Sequence, residues 1–140
     1  MGKIIIAFTA VFIFVSSSAF TQEIKHPIDS YLDSCIETDP STFGMVNCIE
    51  SAIQKWDDEL NKYYKLILSV LDEESAKILK SSEIEWIKFK DKEMDNIEMI
   101  YSKLDGTMYI PMKFYAKLEI IRSRAMQIAD YYRLITEESR

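Results

Sequence analysis

The stretch Met45–Leu71, MVNCIESAIQKWDDELNKYYKLILSVL, reads as one uninterrupted helix. Its apolar residues are Met45, Cys48, Ile49, Ala52, Ile53, Trp56, Leu60, Tyr63, Tyr64, Ile67, Leu68 and Leu71. They recur at steps of three and four, the period of a helix that buries one face. Between them fall Glu50, Gln54, Lys55, Asp57, Asp58, Glu59, Asn61, Lys62 and Lys65, which make a solvated opposite face. Neither Gly nor Pro interrupts the run, so nothing breaks its hydrogen-bond ladder.

Two further long helices follow. Asp72-Glu73-Glu74-Ser75 reads as a turn that caps a helix from about Ser75 to Leu104. Its expected buried stripe is Leu79, Ser82, Trp86, Phe89, Met94, Ile97, Ile100, Tyr101 and Leu104. Gly106 is the expected stop, because glycine takes the left-handed conformation that ends helices. Pro111 then marks the first turn of a last helix, carried by Tyr115, Leu118, Ile121, Ala125, Ile128 and Tyr132 to about Ile135. Upstream, His26-Pro27-Ile28-Asp29 opens a short helix whose apolar face is Ile28, Tyr31, Leu32, Cys35 and Ile36. Thr38-Asp39-Pro40-Ser41 ends it, with Asp39 or Ser41 capping the next; Gly44 reads as a small local cost. Three helices of nearly equal length, each about 40 Å at 1.5 Å per residue, with short connections, predict antiparallel neighbours. The expected fold is all-α: an elongated antiparallel three-helix bundle with a short N-terminal helix.

Residues 1–19 have the layout of a cleaved secretory signal. Lys3 is the positive start, Ile4–Val15 the apolar core, and Ser16-Ser17-Ser18-Ala19 the small-residue cleavage region. A core of twelve residues is too short for a bilayer span, which takes about 20. The expectation is an exported, periplasmic or secreted, single domain over residues 20–140, with no stable membrane insertion once the signal is gone. Its net charge is −6 for the whole chain, and more negative by one when Lys3 leaves. Such a surface disfavours nucleic acid and suits a basic protein partner.

Cys35 and Cys48 are the only cysteines. An even count in an oxidising compartment reads as a disulfide, here stapling the short helix to the long one. Two free thiols or a metal pair are the alternatives, and a metal site would need more Cys or His than His26 supplies. A bridge closing a ring of this size stabilises by about 3 kcal/mol in the chain-entropy model.

Carboxylates are abundant but not arranged for catalysis. Asp57, Asp58 and Glu59, and Glu83, Glu85, Asp91 and Glu93, are strung along straight helices among Lys and Ser. Acid–base work needs one carboxyl held neutral across a cleft from another. His26 has no Ser or Cys nucleophile in a recognisable setting, and Met94, Met99, Met108, Met112 and Met126 read as gap-filling core. No catalytic residue, cofactor or metal is assigned. Counting outward from Gly106 puts Asp91 and Arg124 at similar levels, which predicts a register-setting salt bridge between them. Met108, Tyr109, Ile110 and Met112 exceed what a turn requires, so they are either a cap on the apolar end or an interaction tip.

Three stretches together resemble the LprI-like lysozyme-inhibitor family of small exported bacterial domains. Cys48 followed by Trp56-Asp57-Asp58-Glu59-Leu60-Asn61-Lys62-Tyr63-Tyr64 is similar to its cysteine and Asp-x-x-Leu-Asn-x-x-Tyr. Leu79 with Trp86-Ile87-Lys88-Phe89-Lys90-Asp91 resembles Leu…Trp-x-x-(aromatic)-Arg-Asp. Gly106-Thr107 with Leu118-Glu119-Ile120-Ile121-Arg122-Ser123-Arg124 resembles Gly-(Ser/Thr)…Leu-Thr-x-x-Arg. The resemblance covers roughly Cys35 to Tyr132. Many members carry a second cysteine pair where this chain has Met94 and about Ala116, which leaves Cys35 to pair with Cys48. Lys90 stands for the usual Arg, Glu83 for Gln and Ile121 for Thr. The resemblance implies a non-enzymatic binding protein that occludes a basic lysozyme. An immunity-type or envelope-assembly partner on the same scaffold is the alternative.

Overall fold

A computed structural model describes residues 25–138, and these contain four helices and no strand. The helices are α1 (Pro27–Thr38), α2 (Thr42–Val70), α3 (Glu73–Tyr101) and α4 (Tyr109–Glu138). The expected signal segment lies outside the described residues.

Each helix start has a local cause. His26 caps α1 through Nδ1, which accepts from the Ile28 amide at 3.2 Å, with Pro27 in the first turn where no donor is needed. Ser41, rather than Asp39, caps α2 by accepting from the Gly44 amide at 3.0 Å. Asp72 caps α3 by accepting from the Ser75 amide at 2.8 Å and the Ser75 hydroxyl at 3.1 Å. Two ends depart from expectation. α3 stops at Tyr101, with Ser102 as its C-cap, so Gly106 belongs to the following loop, where its φ of 120° keeps to glycine's territory. α4 continues to Glu138, three residues beyond the expected Ile135.

The core is the seam between α2 and α4. Cys48, Ile49, Ala52, Trp56, Leu60 and Ile67 of α2 are buried against Leu118, Ile121, Ala125 and Ile128 of α4, with Leu32 of α1 completing the cluster. These two helices make the closest packing in the molecule and run parallel: Trp56 meets Arg122, and Tyr63 meets Tyr132. α3 runs the other way along α4, as its contacts of Glu98 with Lys113 and Lys117, and of Glu83 with Arg124, require. Its packing is thinner, and α2 and α3, though sequential, are not closely apposed along their backbones.

That thinness changes the α3 stripe. Phe89, Ile100 and Leu104, expected inside, are 55%, 52% and 43% exposed, and Ser82 is exposed too. The inward positions are Leu79, Glu83, Trp86, Lys90, Met94, Ile97 and Tyr101, a more regular three-and-four series with two charged members. Choosing by apolarity alone missed Glu83, which is buried because an arginine waits for it.

Candidate protein-interaction surface

The disulfide joins Cys35 of α1 to Cys48 of α2, with Cα atoms 5.8 Å apart. A second tie holds the same helix to α4. The Arg122 guanidinium donates to Asp29 through Nε (3.1 and 3.2 Å to the two oxygens) and Nη2 (2.8 Å). Arg122 also lies over the Trp56 ring, 5.5 Å from its centroid, and the His26 ring packs on Trp56 at 4.3 Å. The Trp56 indole N–H is buried with no hydrogen-bond partner. Arg122 therefore clamps α1 onto the α2–α4 seam, while Arg124, the arginine of the Leu-Thr-x-x-Arg-like stretch, faces α3.

The expected Asp91–Arg124 pair is not formed. Arg124 donates to Glu83 Oε2 through Nε at 3.0 Å and Nη2 at 2.7 Å, and to Gln127 Oε1 through Nη1 at 2.7 Å. Gln127 in turn donates to the Tyr131 hydroxyl at 2.9 Å. Asp91 is exposed and, among the described residues, its one ion pair is with Lys90, at 3.8 Å. The two residues are not level: Asp91 sits ten residues before α3 stops, whereas Arg124 sits fifteen after α4 starts. The level opposite Arg124 is Trp86, whose ring lies 5.8 Å from the guanidinium, and Glu83 is one turn away on the same face.

Between α2 and α3 runs an open groove lined by Asp57, Leu60, Asn61 and Tyr64 on one side and Glu83, Trp86 and Lys90 on the other. Ile84 and Ile87 also line it. The residues that carry the first two motif stretches thus converge across one channel, although they lie on different helices. Burial, and then the nearby Glu83 charge, push the Tyr64 hydroxyl above its ordinary pKa, so it remains a neutral donor.

At the α3–α4 end, Met108 is 62% exposed and Ile110 and Met112 are each 44% exposed, while Tyr109 is half-buried and Pro111 buried. Capping is left to Tyr109 and Pro111; the other three face outward. The sequence reading missed two more members of this end. Phe43, in the first turn of α2, is 74% exposed, and Leu104 leaves the α3 stripe for the loop. Phe43 precedes the buried run that starts at Met45, which was the available signal. Behind the tip, Glu98 receives both Lys113 (2.8 Å) and Lys117, and both cations hold its carboxyl below the usual range.

Among the described residues no three His, Cys, Asp or Glu side chains are grouped to hold a metal, and no helix is long and apolar enough to cross a membrane. A crystal structure of an uncharacterized protein from Burkholderia thailandensis superposes with a TM-score of 0.77 at 21% identity. The likeness covers 82% of this chain but 58% of that one, so the chain spans little more than half the length of this relative. At that identity the likeness establishes the fold. No curated protein matches the chain. Residues 35–128 match the family described as lysozyme inhibitor LprI, from the first cysteine through the last buried isoleucine. That is well over half of the sequence, and the chain belongs to the lysozyme inhibitor LprI family.

Proposed function

We propose that this chain is a non-enzymatic, exported binding protein that inhibits a basic lysozyme by covering its substrate cleft. Family membership over residues 35–128 carries the reading. A disulfide suits an oxidising compartment outside the cytoplasm. On this helical scaffold the α3–α4 tip is the working end, and Met108, Tyr109, Ile110 and Met112 are its contact residues. Exposed methionines adapt to an irregular cleft, and a tyrosine offers area with a polar end. The net charge of −6 speeds encounter with a cationic enzyme.

The alternative, a different envelope or immunity-type partner on the same scaffold, draws on the α2–α3 groove, where motif residues meet far from the tip. Purified chain with its disulfide intact is titrated into lysozymes of several types during cell-wall lysis, at low and high salt. Inhibition that weakens with salt is expected. Failure to bind or inhibit any of them removes the lysozyme reading and leaves the alternative.

A further inference from the structure

The opposite end of the molecule carries a surface that neither the tip nor the α2–α3 channel uses. There the α2–α3 turn meets the last turns of α4, and a groove of about 430 Å³ opens between Ile67, Leu71, Ile78, Leu79, Leu134 and Ile135. Ile78 is 65% exposed and Leu134 60% exposed. Helix formation does not require apolar residues at either place, since polar ones serve an exposed helical face equally well.

Charge decides what this groove would take. Asp72, Glu73 and Glu74 interrupt the apolar lining between Leu71 and Ser75, and Glu137 follows Ile135 on α4. Among the described residues none of these four carboxylates is in an ion pair; Asp72 instead holds the α3 amide cap. Asp72, Glu73, Glu74, Glu137 and Glu138 outnumber the cations nearest them in sequence, Lys77, Lys80, Arg133 and Arg140, and Asp130 already engages Arg133 at 3.1 Å. The rim is therefore negative overall. A second copy of this acidic chain would bring like charge against it, whereas a cationic segment would complement it.

We propose that this end is a second docking surface, which takes a basic amphipathic segment of a partner protein. Apolar side chains of that segment sit between Ile78 and Leu134, and its lysines or arginines face Asp72, Glu73, Glu74 and Glu137. Helices with an apolar stripe enter grooves in this way through residues at i, i+3, i+4 and i+7. The two surfaces lie about 40 Å apart along the long helices, far enough for both to be occupied at once.

The probe is a short synthetic helix with leucines at those positions and lysines elsewhere, titrated into the intact chain; its control replaces lysine by glutamate. The lysine helix is expected to bind and the glutamate helix not to. The double variant Ile78→Ser/Leu134→Ser weakens binding by about tenfold or more, as loss of central apolar contacts does. Glu73→Gln/Glu74→Gln weakens it and flattens its salt dependence. Met108→Ser, at the tip, leaves it unchanged. All these positions are exposed, and unaltered thermal melts verify that the variants fold. Equal binding by both peptides, or lysine-helix binding that ignores both double variants, overturns the proposal. So does no binding at all. A dimer that Ile78→Ser/Leu134→Ser converts to monomer would assign the groove to self-association instead.

Discussion

Gly44 shows how a single position can escape sequence reasoning. Within a helix it counts as a small loss of propensity. In the fold it is buried, and a Cβ there would stand 2.1 Å from Asp39 Cγ and 2.5 Å from the Asp39 carbonyl oxygen. The reversal between α1 and α2 brings the two chains that close. Gly44→Ala should therefore cost more than its helix-propensity gain returns, lowering the melting temperature by several degrees; an unchanged melt would mean that the turn relaxes freely. Glu83 teaches a similar lesson in the other direction. Its side chain and that of Arg124 are 11% and 9% exposed, so each leaves water for the other. Glu83→Ala strands a buried guanidinium and should destabilise by about 3–5 kcal/mol. Asp91→Ala, on an exposed carboxylate, should stay within about 0.5 kcal/mol. A double-mutant cycle on Glu83 and Arg124 should show strong coupling; additive effects would dissolve the pair.

The elements differ in how far periodicity exposes them. α2 was legible almost residue by residue, because its buried face holds no charge and its exposed face almost no apolar residue. The α1 staple was legible because two cysteines leave few pairings. α3 was legible as a helix but not in its phase. It packs thinly, keeps Glu83 and Lys90 inward, and sends Phe89 and Ile100 outward, so apolarity and burial part company along it. What decides its phase is a partner on α4, and no local pattern contains that. The start of α3 also makes it pH-sensitive. Hydrogen bonds from the Ser75 amide and hydroxyl hold the Asp72 carboxyl below its ordinary range. A depressed carboxylate contributes stability that is complete above its unfolded pKa of about 3.9 and is lost as pH falls through the lower folded value. Amide exchange in the first turn of α3 should accelerate in that acidic window, and Asp72→Asn should remove the dependence. Exchange equally protected at every pH would show that the cap contributes nothing. Reduction of the disulfide, or Cys48→Ser, should loosen α1 before the α2–α4 seam. The Arg122–Asp29 clamp should keep α1 partly attached.

At the scale of the whole molecule, the parallel α2–α4 seam supplies the rigidity, while apolar surface left over by the thin α3 packing collects at the ends and along the channel. Which methionines fill the core was not legible, because Met is equally at home on an exposed face. Only burial separates the two, and it places Met99, Met108, Met112 and Met126 outside. Charge and contact then act at different stages of binding. Charges outside the contact steer encounter, so raising salt should lower the association rate with a basic lysozyme and leave dissociation nearly unchanged. On the proposed reading the tip is the contact that holds the complex, so Met108→Ser/Ile110→Ser should mainly raise the dissociation rate. Tyr109 divides the cases further, because its ring is half-buried beside Gly106 and has work in the fold. Tyr109→Ala should lower the melting temperature as well as affinity, whereas the Met108/Ile110 variant should melt like the parent. If the Met108/Ile110 variant binds a confirmed lysozyme with unaltered kinetics, the tip is a connector and the contact surface lies elsewhere on the chain.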